Sequence, residues 1–137
     1  MAVHRWLLLL GSNLEDDALV REALQRLAGI GEVEQLTAIR RFQAYGDGHG
    51  PYYNVLAQWR TDDEHAVAHS RLKALERELG RDPADAKRVD IDIDMLGSAI
   101  DDEGWMADPH ALAKGEFTRE PVLTLLHEAG IDIPPPL

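Results

Sequence analysis

The stretch Val89-Asp90-Ile91-Asp92-Ile93-Asp94 alternates apolar and acidic residues without interruption, which is the period-two pattern of a β-strand with one apolar and one charged face. Side chains two apart on a strand emerge together, so Asp90, Asp92 and Asp94 form a row with roughly 6–7 Å between neighbours. Aspartate is a poor strand former, and like charges along one face repel. Such a row requires compensation, and a divalent cation is the simplest candidate. Magnesium takes one or two carboxylates and completes its octahedron with water and phosphate oxygens. Two alternatives stand beside it. One is a strand face whose charges are simply solvated. The other is a helix-loop-helix calcium site, which is disfavoured because Met95 stands where that loop needs glycine.

Working outward, Trp6 to Leu10 is an unbroken apolar run closed by Gly11, the mark of a central strand buried on both faces. Asp17 to Ala28 carries Val20, Ala23, Leu24 and Leu27 at helical spacing before Gly29. Val33–Phe42 and Asn54–Trp59 read as strands of a hairpin with a long glycine-containing loop. Thr61 with Glu64 reads as a capping box opening a second helix, whose stripe is Ala68, Leu72, Leu75 and Leu79. Thr118 and Pro121 precede a short helix ending at Gly130. The order strand, helix, strand, strand, helix, strand predicts an α+β fold: a ferredoxin-like antiparallel sheet with helices packed on one face.

The 137 residues, 45% of them hydrophobic, suffice for one core, so a single domain over 1–137 is expected. Fourteen Lys plus Arg against 25 Asp plus Glu argue against nucleic acid as a partner. The absence of cysteine removes disulfides, thiol catalysis and zinc–thiolate sites. With an apolar run at Trp6–Leu10 too short for a membrane span or a signal core, a cytoplasmic protein is expected.

Leu10-Gly11-Ser12-Asn13-Leu14, Tyr52-Tyr53-Asn54, Glu76 with Gly80-Arg81, Asp90-Ile91-Asp92 and Pro109-His110 together resemble, in the same order, the hydroxymethyl-dihydropterin pyrophosphokinases of folate biosynthesis. The resemblance implies a ferredoxin-like core and magnesium-dependent transfer of pyrophosphate from ATP to the hydroxymethyl group of a reduced pterin. It implies Asp90 and Asp92 as ligands of two Mg2+ ions, with Asp94 given no role. It places the pterin between Tyr52 and Phe117, with the Asn54 amide on its polar edge. Glu76, Arg81, Lys87, Arg88 and His110 become the ATP site, Arg81 and Arg88 also acting in catalysis. Tyr52 is preferred to Tyr53 because it stands two residues before Asn54, on the same face of an extended segment. ATP and a reduced pterin are the expected partners of a monomer.

The chain departs from that family in places. Only Asp82 to Lys87 separate Arg81 from the acidic strand, where relatives carry a longer arginine-bearing loop, and Asp82 and Asp85 repel phosphate. Lys114-Gly115-Glu116 stands where an arginine is usual, and Arg41 to Pro51 is rearranged. The glycines at 46, 48 and 50 precede no helix and form no phosphate loop. His65 and His69, four apart on the second helix, read as an exposed pair in preference to a metal site. Alternative functions are a non-catalytic pterin-binding paralogue and a protein-interaction domain on the same scaffold.

Overall fold

A computed structural model describes residues 3–43, 51–80 and 90–133. The described strands are β1 (His4–Ser12), β2 (Glu32–Gln35), β3 (Arg40–Phe42), β4 (Tyr52–Thr61), β5 (Asp92–Ile100) and β6 (Met106–Ala107). The α-helices are α1 (Ala18–Ala28), α2 (His65–Glu78), α3 (Pro109–Ala113) and α4 (Glu120–Ala129), with a 3₁₀ turn at Glu116–Thr118. The strands form one antiparallel sheet in the order β2-β4-β1-β5-β6, with β3 also pairing with β4. Its first four members have the ferredoxin-like order, so the expected α+β fold is present.

The apolar run of β1 sits at the centre because both its faces are covered. Trp6, Leu8 and Leu10 join Val55, Ala57 and Trp59 of β4, Ile93 and Met95 of β5 and the inner faces of α1 and α2. Leu7 and Leu9 point the other way, towards Leu56, Leu96, Ala111, Val122 and Leu125. Each fully buried leucine contributes on the order of 2 kcal/mol over an exposed one. A register shift pairs Leu7 with Gly97 but Leu8 with Met95. The bulge leaves Leu96 out of the register with β1, and Leu96 packs on the face of Leu7 and Leu9 while Met95 stays with Ile93 on the other.

Three expectations need correction. The helices cover both faces: α1 and α2 take one, while α3 and α4 lie against the second core, since the apolar stripe of Val122, Leu125 and Leu126 needs its own surface to bury. Val33–Phe42 is two short strands. Between them Leu36 N donates to the Leu56 carbonyl, and Thr37 Oγ1 accepts from Leu56 N in place of a continuous ladder. Thr61 and Glu64 form no capping box. Thr61 is the last residue of β4, its hydroxyl accepts from Trp6 Nε1 at 2.9 Å and from Asp63 N at 3.2 Å, and Glu64 stands at the helix start without a side-chain cap.

Candidate functional site: two adjoining cavities at the end of the central strands

Register brings the sequence motifs together. Gly11 at the end of β1 is paired on one side with Asn54 of β4 and on the other with Asp92 of β5. The three residues lie on the face turned to α4, where they line a cavity of about 290 Å³ with Tyr52 and Asp94. Glu116 and Arg119 close it from the α3–α4 connection, and Phe42 and Gln43 from β3 and the residue after it. A second cavity of about 410 Å³ lies towards α2 and α3, lined by His65, His69, Lys73, His110 and Lys114. Asp94 and Glu116 line both cavities and so form the wall between them.

Asn54 is buried at 6% exposure. Its Nδ2 donates to the Leu10 carbonyl at 3.3 Å, while Oδ1 has no protein partner. A buried acceptor left unpaired costs roughly 1–3 kcal/mol, so the Asn54 amide holds an open demand for a donor. Glycine at 11 makes this arrangement possible, because a Cβ there would stand 2.5 Å from Asn54 Nδ2.

The acidic row divides. Asp92 and Asp94 share a hydrogen bond at the cavity wall, and burial first, then the Asp92 charge, drives the Asp94 carboxyl well above the usual carboxylate range. Lys114 Nζ at 3.9 Å opposes that rise. Asp90 lies just before β5 and is buried near Gly80, with no part in lining either cavity. A carboxyl with a raised folded pKa stabilises the fold below its unfolded value, near 4, and that stability is lost as pH rises through the folded value. We therefore expect Asp94→Asn to raise the Tm of the metal-free protein at pH 7 and to flatten its decline from pH 4 upward. Thermal melts across pH check this, and a lower Tm for the variant at pH 7 would contradict it.

Glu76, which as a lone helix glutamate would ordinarily be exposed, is buried at 5% exposure on α2. It accepts from Ile93 N at 2.6 Å and meets Lys73 at 3.2 Å. Burial raises its pKa, and the Ile93 N–H and Lys73 pull it back. The carboxylate thus ties α2 to β5 beside the cavities.

Of the other residues singled out by sequence, Tyr52 lines the first cavity whereas Tyr53 packs on the opposite face, against the α1–α2 core. His110 is exposed and lines the second cavity. Phe117 is half-buried against the α4-side core and does not line the first cavity. Arg81, Lys87, Arg88 and the short loop 82–87 lie outside the described residues. His65 and His69 stack with ring centroids 6.3 Å apart, and His65 Nε2 meets Asp108 Oδ1 at 2.8 Å. Desolvation first, then Lys73 and His65, lower the His69 pKa. Sequence reasoning missed Asp108, Lys73 and Glu116. Asp108 was the most legible of these, because aspartate followed by proline and a helix is a capping signature. Its Oδ2 accepts from His110 N and Ala111 N at 3.1 and 3.2 Å.

Oxygen donors at the cavity wall suit magnesium, and two crowded carboxylates facing a single lysine at 3.9 Å fit a place for added positive charge. Among the described residues no group of three or more His, Asp or Glu is arranged to hold a metal ion. Magnesium habitually relies on fewer protein ligands than that. No helix among the described residues is long and apolar enough to cross a membrane.

The sheet order and the paired cavities define a ferredoxin-like α+β domain with a two-compartment site at one end of its central strands. A family model described as 7,8-dihydro-6-hydroxymethylpterin-pyrophosphokinase matches residues 7–127, and the chain belongs to that family. A search of curated proteins found no match. The family comprises transferases of folate biosynthesis that act on small molecules, with ATP as co-substrate and Mg2+.

Proposed function

We propose that the chain transfers pyrophosphate from ATP to the hydroxymethyl group of a reduced pterin, with the pterin in the first cavity and the triphosphate in the second. The observation that carries this reading is Asn54, buried with its Oδ1 unpaired, at the wall of a cavity that adjoins a second one holding two lysines and three histidines. A pteridine edge presents N–H donors, so its binding would satisfy that acceptor. Tyr52 supplies an aromatic face to the ring. Phe117, proposed from the resemblance as the second face, packs against the α4-side core.

The hydroxyl oxygen forms a bond to the β-phosphorus as the bond from that phosphorus to the α–β bridging oxygen breaks. AMP leaves with the bridging oxygen, and the hydroxyl proton passes to solvent. Asp90 and Asp92 would hold the two magnesium ions, with Asp92 at the cavity wall. When bound, magnesium neutralises phosphate charge and favours in-line displacement. Glu76 holds α2 against β5. Lys73, Lys114 and His110 line the cavity proposed for the triphosphate, and Arg81, Lys87 and Arg88 would add contacts and hold the transferring group. The protein is taken to act as a cytoplasmic monomer.

A second reading, a pterin-binding paralogue without catalysis, is favoured by Asp82 and Asp85 in the short loop. Incubation with ATP, magnesium and 6-hydroxymethyl-7,8-dihydropterin separates the two. AMP release supports the enzyme, and pterin binding without AMP supports the paralogue.

Gly11→Ala provides a test of the pocket. The new Cβ forces Asn54 from its place, so pterin affinity should fall roughly tenfold, equivalent to about 1.4 kcal/mol. Fluorescence titration with the pterin reads this directly, and unchanged affinity would detach Asn54 from pterin recognition.

A further inference from the structure

We propose that His65, held by Asp108, is a polyphosphate-contacting residue of the second cavity, so that affinity for the nucleotide depends on the protonation of this imidazole. The inference rests on the reading of that cavity as the triphosphate site. Three of the chain's six histidines line it. Its two lysines already face carboxylates, Lys73 at 3.2 Å from Glu76 and Lys114 at 3.9 Å from Asp94. Their charge is thereby partly spent inside the protein, and a triphosphate needs further donors.

Asp108 sets the geometry. It is buried at 7% exposure and fixed through both oxygens: Oδ2 caps α3, and Oδ1 takes His65 Nε2 at 2.8 Å. A carboxylate at the start of a helix accepts hydrogen bonds, so the proton of neutral His65 lies on Nε2. Nδ1 is then the nitrogen available to a ligand. In the neutral ring Nδ1 is an acceptor and meets phosphate oxygens unfavourably. In the protonated ring it is a charged donor. Binding of a polyphosphate and protonation of His65 therefore reinforce one another.

The charged and titratable groups around His65 come from three elements. On α2 they are His69 and Lys73, and on α3 Asp108 and His110. Asp94 of β5, with Lys114 and Glu116 from the α3–α4 connection, also lines the cavity. Trp6 of β1 packs edge-on to the His65 ring at 5.9 Å and carries no charge. Asp108 meets the ring directly, and Lys73 and the two other imidazoles stand around the same cavity. A bound polyphosphate adds negative charge there. Asp108 is a positioning residue in this account, since it acts through His65.

The test is binding of inorganic triphosphate with magnesium, followed by calorimetry from about pH 5.5 to 8, the range over which imidazoles titrate, at constant ionic strength. Wild type is compared with His65→Gln and Asp108→Asn. The ligand's own protonation cancels in the ratio of wild-type to variant affinity. We expect wild type to bind roughly fivefold more tightly than His65→Gln at the acid end, as for a half-exposed charge-assisted contact, with the ratio closing to about one at the alkaline end. Asn can still cap α3, so Asp108→Asn should shift the wild-type profile to lower pH. A purely structural role would instead lower affinity equally at every pH. A ratio near one throughout, a flat ratio, or no triphosphate binding by wild type overturns the proposal. His65 is 56% exposed in the first turn of α2, so its replacement should leave the fold intact. AMP formation measured alongside separates the two ideas: AMP with a flat ratio sinks this inference alone, and a pH-dependent ratio without AMP sinks the pyrophosphokinase reading alone.

Discussion

Asp92→Asn is expected to lower magnesium-dependent kcat/KM by on the order of a thousandfold, the loss seen when a charge-stabilising group is removed from a transition state, while pterin affinity changes little. Asparagine preserves the size of the side chain and removes the anion. Asp92 is paired in register with Gly11 and lines the first cavity with Asp94, so its charge stands beside the carboxyl that divides the two cavities. The loss should fall mainly on catalysis because the proposed contact for the pterin edge is Asn54, across Gly11 from Asp92. Steady-state kinetics with varied magnesium, beside pterin titration, separate the two effects. Full turnover in Asp92→Asn would remove the acidic strand from the catalytic account. A parallel loss of pterin binding would make Asp92 a substrate contact.

Asn54→Ala should weaken pterin binding by roughly 10- to 100-fold, the cost of leaving buried donors of a bound ligand unpaired. The fold should survive, with a cost of about 1 kcal/mol for the lost bond to the Leu10 carbonyl. The variant should also discriminate poorly between pterins that differ at their donor edge. Equilibrium fluorescence titration with two such pterins gives both numbers. Unchanged affinity and selectivity would place the pterin elsewhere.

The order of elements was legible because apolar periodicity is a local signal. The uniform run of β1, the stripe of α2 and the alternation around Ile91 and Ile93 each announce an element without knowledge of its neighbours. The break at Thr37 was not legible, since it depends on Leu56 of another strand. The α4-side layer was missed for the same reason: the stripe of α4 reveals that it must be buried, but not against which face. At the site, motif residues such as Gly11, Asn54 and Asp92 converge through strand register. Asp94 and Glu116 gain their position only when the two cavities exist. Glu76 illustrates the limit best, because a helix glutamate reads as solvated until Ile93 N is brought to 2.6 Å from it.

The central claim, pyrophosphoryl transfer at the junction of the two cavities, is tested most directly by one measurement. The full chain is incubated with ATP, magnesium and 6-hydroxymethyl-7,8-dihydropterin, and nucleotides and pterins are resolved by chromatography. The account predicts AMP and pterin pyrophosphate in equal amounts, dependent on magnesium, with no accumulation of ADP. ADP with a pterin monophosphate, or the recovery of both substrates unchanged, would contradict it.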